Sequence, residues 1–307
     1  MPEYILKSGP QEESQRLDIF IINFAKKNDL GLSRTFLQSL MREGKVLLNG
    51  AARVKPHHKI KDGDEIKINF QESQPLGIDA QNIPLEIIYQ DKDIAVINKP
   101  IGLVTHPAPG NREHTLVNAL KFHLDKLSNI NPGRPGIVHR LDKETSGVLV
   151  VAKNNASHLK LTEQFADHTI KRRYVAVVSG KVQFDQHVIE IPIGRHPQKR
   201  KSMAAGYADN AKYAKTLYRV LKRGIEFTLL ELEPFTGRTH QLRVHLAFIG
   251  HPIVGDSKYG KIPFSRLCLH AKSLGFIHPS SGKFIEFASP VPKEFSKLVA
   301  KSPVIAI

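Results

Sequence analysis

Between residues 84 and 300, strand-like apolar segments alternate with helices in an irregular order, and this order constrains the fold most. Short runs rich in Val, Ile and Leu, such as residues 93–100 and 147–153, are bounded by turn-forming residues, as strands usually are. Helical patterns occupy residues 115–126, 156–168 and 237–250. Because a regular βαβ repeat would space strands and helices evenly, we predict an α+β domain with a mixed, largely antiparallel sheet and flanking helices.

A smaller module precedes this domain, over residues 15–72. Apolar spacing from Leu17 predicts a first helix, and Ser33 is a suitable N-cap for a second helix that ends near Arg42. Two short strands follow, and Asn49-Gly50 is a hairpin-turn signal at the end of the first. Residues 73–83 are polar with Pro and Gly, so we interpret them as a linker.

The order of helices and strands in this module resembles the alpha-L RNA-binding module of a small-subunit ribosomal protein. The resemblance rests on Arg16-Leu17-Asp18, Ser33-Arg34, the run GKVLLNG and Lys55 with Gly63-Asp64. It implies an α+β fold in which the second helix and nearby cations contact RNA. The candidate contacts are Arg34, Arg42 and Lys45; Arg34 and Arg42, each taken singly, also fit ordinary solvated helix charges.

The formal net charge of +16 predicts a polyanionic partner. Residues 1–75 hold 12 basic and 10 acidic side chains, whereas residues 171–223 hold 13 basic and 3 acidic. A purely solubilising charge would be spread more evenly. We therefore expect an RNA grip within residues 194–205, which join two strands and carry Arg195, Lys199, Arg200 and Lys201.

Several classes of site and location are disfavoured. The single cysteine, Cys268, leaves no internal disulfide and fits a reducing compartment. No apolar run approaches the ~20 residues of a membrane span, and the first residues lack a leader pattern. There is no phosphate-binding glycine loop and no zinc-type histidine spacing. We expect a cytoplasmic protein without metal or cofactor, without membrane or DNA partners, and monomeric because no coiled-coil pattern occurs.

One segment, residues 136–153, places five polar or charged residues between two apolar strand-like runs. Asp142 lies among them, and the turn-forming Thr145-Ser146-Gly147 follows. Asp142 is therefore expected at the end of a strand, close to the sheet. The pattern alone also fits a turn aspartate whose side chain accepts backbone N–H groups.

A second segment, residues 233–247, contains a strand that ends at Thr236-Gly237 and a helix with Arg238 in its first turn. Cations in a first turn oppose the helix dipole, so Arg238 is expected to have an anionic partner. Arg238 and Arg243 are both able to pair with a carboxylate through the guanidinium fork.

The segments HRLDKETSGVLVVAK, LEPFTGRTHQLRVHLAFIGHPIVGD and LHA, together with INKPIGLVTHPAPGN and KRRYVAVVSG, resemble the signature segments of the RluA family of pseudouridine synthases. They occur in family order from about residue 84 to 295. The resemblance implies an enzyme that isomerises uridine in RNA without a cofactor. The most favoured substrate is large-subunit ribosomal RNA, with transfer RNA as the alternative.

The resemblance also implies roles for individual residues. Asp142 is similar to the essential aspartate, and Tyr174 to the tyrosine that packs on the target base and helps remove its proton. Arg238 corresponds to the arginine that pairs with the carboxylate, and Leu242 to the apolar residue of the base pocket. Arg140 is expected to contact RNA or its own loop. Two other functions stay open from the residues alone: a non-catalytic ribosome-assembly factor, and a metal-dependent RNA hydrolase.

Overall fold

The computed structural model describes residues 3–28, 32, 34–52, 54–69, 78–107, 111–198, 202–206 and 210–300. Lys199, Arg200 and Lys201 of the predicted RNA grip lie outside these residues. The chain divides into two compact units, residues 1–77 and 78–307. In the described part of the chain, no helix is long and apolar enough to cross a membrane.

The first unit packs two helices on a small antiparallel sheet. The helices are α1 (Leu17–Lys27) and α2 (Arg34–Arg42), and the strands are β1 (Glu3–Lys7), β2 (Val46–Leu48) and β3 (Glu65–Asn69), ordered β1-β3-β2. The predicted order of helices and strands is confirmed. The strand β1 was not predicted, and it extends the unit to the N-terminal side of residue 15.

A two-residue turn at Asn49-Gly50 closes the hairpin between Leu48 and Ala51, as the sequence predicts. The φ angles are 48° and 80°, and Leu48 and Ala51 exchange backbone hydrogen bonds of 3.0 and 2.9 Å. Such a turn needs positive φ at both central residues, and Asn and Gly adopt this conformation most easily.

The second unit is built on a nine-stranded mixed sheet with the order β4-β5-β6-β13-β7-β12-β11-β8, in which β14 also pairs with β13. Among the strands of this sheet that the structure describes, the β6–β13 pair is the parallel one; the others pair antiparallel, which confirms the predicted fold class. The strands are β4 (Glu86–Gln90), β5 (Ile94–Lys99), β6 (Ser146–Ala152), β7 (Lys171–Ser179), β8 (Gln186–Glu190), β11 (Lys215–Arg223), β12 (Phe227–Pro234), β13 (Leu269–Ile277) and β14 (Phe284–Ala288).

A separate two-stranded hairpin stands beside this sheet. It consists of β9 (Ile193–Arg195) and β10 (Met203–Ala205). The sequence predicts one strand over residues 187–194, whereas the structure has β8 and β9 with Pro192 between them. Proline has no backbone N–H for a central ladder, which accounts for the break.

Four helices of the second unit cover the faces of the sheet: α3 (Leu116–His123), α4 (Asn155–Ala166), α5 (Gln241–Phe248) and α6 (Lys293–Ala300). The helix α3 packs through Leu116 and Leu120 onto β5 and β6, and α4 packs through Leu161 on another part of the core. Leu242 and Leu246 of α5 share a third cluster with β7 and β12. The helix α5 therefore packs on β7 and β12, near the centre of the sheet.

Candidate active site

Asp142 lies in the turn that immediately precedes β6, close to the sheet as predicted. Its neighbours are fixed from both sides: the Leu141 carbonyl accepts from Thr105 Oγ1 at 2.9 Å, and the Lys143 carbonyl accepts from the Gly102 N–H at 2.8 Å. Within the described residues, the Asp142 carboxylate accepts no backbone N–H. The alternative of a turn-capping aspartate therefore has no support in the structure.

Lys99 ties this turn to the loop after β5. Its side chain is fully buried, and Nζ donates to the carbonyls of Pro100 and Leu103 at 2.9 Å and of Lys143 at 3.3 Å. Burial lowers its pKa to about 8, against the opposing charges of Asp142 and Glu144. Three carbonyls thus match the three ammonium protons, and they fix the backbone beside Asp142.

Gly147 allows the turn of Asp142 to approach the LHA segment closely. Its φ is +114°, and a Cβ atom here would lie 2.2 Å from the Ala271 carbonyl oxygen. Gly147 pairs with Ala271 across β6 and β13, and Ala271 pairs with Tyr174 on β7. This succession of strands brings the Asp142 turn and Tyr174 to the same part of the sheet.

A cavity of about 490 Å³ opens over this region, a size within the ~300–1,000 Å³ of ligand pockets. Six of the residues singled out in the sequence line it: Asp142, Tyr174, Arg238, Leu242, Arg243 and Arg140. Leu242 is buried and Arg140 is exposed. The structure therefore brings together the residues that the two sequence segments predict for the centre of the site.

The cationic partner of Asp142 is Arg243. The distance from Arg243 Nη1 to Asp142 Oδ2 is 3.6 Å, and the same nitrogen lies 3.4 Å from Glu144 Oε2. Arg243 is itself anchored by Asp256, which accepts from Nε and Nη2 at 2.8 Å each. Both the Arg243 and Asp256 side chains are almost completely buried. This bidentate pair sets the guanidinium beside the carboxylate.

The predicted pairing of Arg238 with Asp142 is corrected by this geometry. The helix α5 begins at Gln241, and His240 before it has a left-handed φ of 56°, so Arg238 precedes the helix. The Gln241 Oε1 atom accepts from the Arg238 N–H at 3.0 Å and from Thr236 Oγ1 at 2.8 Å. Arg238 Nε donates instead to the Tyr213 carbonyl at 2.9 Å.

The charge state of the Arg243 pair follows from its surroundings. Burial would lower the pKa of Arg243, but the Asp256 carboxylate, aided by Asp142 and Glu144, raises it above its ordinary value. Burial would raise the pKa of Asp256, and Arg243 with two backbone N–H donors holds it below its usual range. The pair is ionised, and Arg243 presents a permanent positive charge to Asp142.

His240 was not predicted as part of the site. Its Nε2 atom lies 3.9 Å from Asp142 Oδ2, and its Nδ1 atom lies 2.7 Å from the hydroxyl of Tyr259. Burial lowers the pKa of His240, Asp142 opposes this and Arg243 adds to it. The left-handed conformation, which few non-glycine residues adopt, cannot be detected from apolar periodicity.

Tyr174 and Arg172 line the same cavity. Burial raises the pKa of the Tyr174 hydroxyl, Asp142 acts in the same direction, and Arg172 opposes both. Arg172 Nη2 donates to the carbonyls of Pro234 at 3.2 Å and Thr236 at 3.4 Å. Tyr174 is therefore a neutral phenol at neutral pH, with an apolar ring suited to packing on a base.

His139, which precedes Arg140 in the first segment, supports the fold. Its ring stacks on Phe165 with centroids 4.4 Å apart, and its Nε2 atom accepts the Val150 N–H at 3.1 Å. Burial lowers its pKa to about 3. This histidine therefore stays neutral and positions β6.

One group in the described residues has donors close enough to hold a metal ion: Asp91, Asp93 and His278. None of the three lines the cavity around Asp142. The Nδ1 atom of His278 accepts from the Ser280 and Ser281 N–H groups, so its proton is on Nε2, which donates to Asp91 Oδ2 at 2.8 Å. In this tautomer the imidazole braces a loop and offers no lone pair to a metal.

Of the other predicted RNA-contact residues in the second unit, Arg195 is not among those that line the cavity. Arg195 is exposed at the end of β9, whereas Arg34 begins α2 in the first unit. Arg42, in the last turn of α2, is exposed, and Lys45 pairs with Glu43 at 2.7 Å with partly exposed side chains. Their roles in binding stay predictions.

Comparison with known proteins gives consistent results. Residues 93–248 match the family model described as RNA pseudouridylate synthase. An uncharacterized RNA pseudouridine synthase, YlyB of Bacillus subtilis, is 43% identical, over 97% of this chain and 98% of that protein. The ribosomal large subunit pseudouridine synthase D of Zymomonas mobilis is 43% identical, over 87% of this chain and 88% of that protein. The structure of human RNA pseudouridylate synthase domain containing 1 matches with a TM-score of 0.58 and 29% identity, over 69% of this chain and 85% of that one.

Proposed function

Since this chain belongs to the RNA pseudouridylate synthase family, and is therefore an isomerase that acts on RNA, we propose that it modifies uridines of large-subunit ribosomal RNA with Asp142 as the essential carboxylate. The observation that carries the proposal is the position of Asp142. Its side chain lines the cavity, lies beside the buried charge of Arg243, and is not used to cap the turn.

The reaction is an isomerisation that places specific demands on the site. The bond between C1′ and N1 of uridine breaks, the uracil turns, and C1′ bonds to C5; C5 loses a proton and N1 gains one. The step at the sugar or the base requires a carboxylate within reach, as a nucleophile or as a base. Asp142 meets this requirement, and Arg243 holds a fixed positive charge 3.6 Å from its carboxylate.

Other residues of the cavity suit the recognition of a flipped uridine. Leu242 and the ring of Tyr174 supply apolar surface for the base, while Arg140, Arg172 and Arg238 supply positive charge along the wall. A base must leave its stack to reach such a cavity, at a cost of a few kcal/mol in a duplex and less in a loop. We therefore favour a loop or bulge uridine as the target.

The assignment of ribosomal RNA rests on two supports. Relatives with 39–43% identity are named ribosomal large subunit pseudouridine synthase D, and the first unit has the two helices and small sheet of an alpha-L-like module. We propose that this module contacts RNA through α2 and the cations Arg34, Arg42 and Lys45. The β9–β10 hairpin adds Arg195 together with Lys199, Arg200 and Lys201. The enzyme would act as a monomer in the cytoplasm, during ribosome biogenesis.

The test uses in-vitro transcribed 23S ribosomal RNA and a pool of transfer RNA transcripts, each incubated with the full-length protein in EDTA. We expect pseudouridine at one or a few sites of the ribosomal RNA with the wild type and none with Asp142→Asn. The Asp142→Asn variant should bind RNA with unchanged affinity, because the side chains are nearly equal in size.

Each other outcome identifies a different function. Product in transfer RNA alone would replace the proposed substrate, and binding without any product would indicate an assembly factor. Cleavage in a parallel reaction with Mg²⁺ in place of EDTA, and none in EDTA, would indicate a hydrolase. Full activity of Asp142→Asn would refute the assigned role of the carboxylate.

The basic hairpin, which is the β9–β10 hairpin with the predicted RNA grip of residues 194–205, has a separate test. Replacing Lys199, Arg200 and Lys201 together by Gln should weaken RNA binding and reduce the slope of log K against log salt, because each phosphate contact contributes about 0.7–0.9 to that slope. The matched control replaces Lys92, Lys126 and Lys283, which lie elsewhere on the second unit, by Gln. Equal slopes for the two triple variants would contradict the hairpin as the grip.

A further inference from the structure

A chain of polar groups leads from the β9–β10 hairpin to Asp142. The Met203 N–H, at the start of β10, donates to the Tyr259 hydroxyl oxygen at 2.9 Å. That hydroxyl lies 2.7 Å from His240 Nδ1, and His240 Nε2 lies 3.9 Å from Asp142 Oδ2. Two side chains, Tyr259 and His240, thus lie in succession between the backbone of the hairpin and the carboxylate.

The donors and acceptors along this chain are compatible with one arrangement of its protons. Burial raises the pKa of Tyr259, so its hydroxyl keeps its proton. The Met203 N–H donates to the hydroxyl oxygen, which leaves the phenol proton free to point to His240 Nδ1. Burial lowers the pKa of His240, so the ring is neutral at neutral pH. A neutral imidazole that accepts at Nδ1 carries its proton on Nε2, which faces Asp142.

Tyr259 also fixes the second group beside Asp142. Its ring lies over the Arg243 guanidinium, 5.3 Å from centroid to Cζ, and meets the His240 ring edge-on at 5.6 Å. The Tyr259 N–H donates to Asp256, the same carboxylate that anchors Arg243. One aromatic residue therefore holds both neighbours of Asp142 Oδ2.

The backbone of His240 supports a use for its imidazole. Its φ of 56° is left-handed, a conformation that Gly or Asn adopts more easily than His. The approaches of His240 and of Arg243 to the Asp142 carboxylate, at 3.9 and 3.6 Å, are both to Oδ2. The two side chains thus address the same carboxylate oxygen.

We propose that Tyr259 and His240 are positioning residues for the reaction: they direct the Nε2 proton of His240 toward Asp142 Oδ2, leave Oδ1 for the substrate, and link the basic hairpin to the carboxylate. This inference rests on the catalytic role proposed for Asp142. It assigns the polar chain a task in turnover, beyond anchoring the hairpin.

The test compares Tyr259→Phe and His240→Asn with the control Tyr213→Phe. Tyr259→Phe keeps the ring over Arg243 and removes only the hydroxyl. His240→Asn suits the left-handed backbone and removes Nε2. Tyr213→Phe removes an exposed hydroxyl that donates to Glu190 Oε1 at 2.9 Å. We expect a roughly tenfold lower single-turnover rate at saturating enzyme for the first two variants, because misplaced reacting groups slow the bound complex. The RNA dissociation constant should change less than twofold.

A second readout needs no RNA. Nitrogen NMR of protein labelled at histidine, with the His240 signals identified by their loss in His240→Asn, should show the Nε2–H tautomer in the wild type and a tautomer mixture in Tyr259→Phe. An Nδ1–H tautomer in the wild type would overturn the proposal. An unchanged single-turnover rate in both variants, or weaker RNA binding at an unchanged rate, would overturn it as well. If the wild type makes no pseudouridine, the proposed function fails. The tautomer of His240 in the NMR experiment then tests by itself whether Tyr259 orients the His240 ring.

Discussion

The buried pair of Arg243 and Asp256 gives the sharpest prediction about stability. Asp256→Asn keeps the size of the side chain. It also keeps an oxygen in the place of Oδ1, which in the wild type accepts from the Lys258 and Tyr259 N–H groups at 2.9 and 3.0 Å. It removes the charge that two guanidinium nitrogens contact at 2.8 Å. Breaking one partner of a fully buried ion pair costs about 3–5 kcal/mol. Since the backbone hydrogen bonds persist, we expect a loss of about 3 kcal/mol in the free energy of unfolding.

The control uses the same guanidinium. Glu144 lies 3.4 Å from Arg243 Nη1, but its side chain is 45% exposed. Exposed ion pairs contribute at most about 1 kcal/mol, so Glu144→Gln should cost no more than that. Urea unfolding followed by circular dichroism measures both variants, provided that the denaturant slope is unchanged.

The coupling between Arg243 and Asp256 should appear in a double variant. Arg243→Met leaves the buried carboxylate unpaired, and adding Asp256→Asn removes that charge, so the double variant should be less destabilised than the sum of the single ones. Equal losses for Asp256→Asn and Glu144→Gln would refute the argument that burial determines the strength of the pair. Strict additivity of Arg243→Met and Asp256→Asn would refute the coupling.

Three further predictions follow from single sites. Gly147→Ala should prevent native folding of the second unit, because a Cβ would lie 2.2 Å from the Ala271 carbonyl oxygen; a cooperative urea transition of normal midpoint would contradict this. His270 is 2% exposed and burial lowers its pKa to about 4, so the unfolded chain binds a proton between pH ~6.5 and ~4 that the folded protein does not. Stability should therefore fall as pH drops through this window, by up to about 3 kcal/mol, and His270→Gln should flatten the dependence measured by urea unfolding at each pH. Leu242→Ala should raise KM for RNA several-fold with the Asp142 chemistry retained, because it removes apolar surface from the cavity; steady-state kinetics on a short RNA would reveal an unaltered KM if Leu242 does not contact the base.

Local sequence signals predict much of this fold. The Asn49-Gly50 turn, the two helices of the first unit and the antiparallel strands of the second unit each have a short-range pattern that the structure confirms. The strand β1 has no such pattern, because it is held in place by pairing with β3, which lies 60 residues further along the chain. The break at Pro192 was readable in principle, since proline interrupts a ladder.

The site was predictable to a lesser degree. Asp142 and the apolar Leu242 could be located from their segments, but the choice between Arg238 and Arg243 depended on where α5 begins. The helix begins at Gln241 because His240, the residue before it, has a left-handed backbone. Apolar periodicity does not reveal such a residue. An arginine between the apolar Leu242 and Val244 was the usable signal, because a charge on a buried helix face requires a buried partner.

The parallel pairing of β6 with β13 has a consequence for synthesis of the chain. Gly147 and Ala271 are neighbours across this pair, yet the ribosome makes Ala271 more than a hundred residues after Gly147. Contacts this distant in sequence form late and slowly. When the ribosome has just made Asp142, the nascent chain lacks β13, which is the neighbour of β6 in the sheet, and it lacks Arg243. The cavity therefore cannot have formed. The enzyme therefore gains its activity only after β13 has been made, and a chain truncated before β13 would contain Asp142 without a site around it.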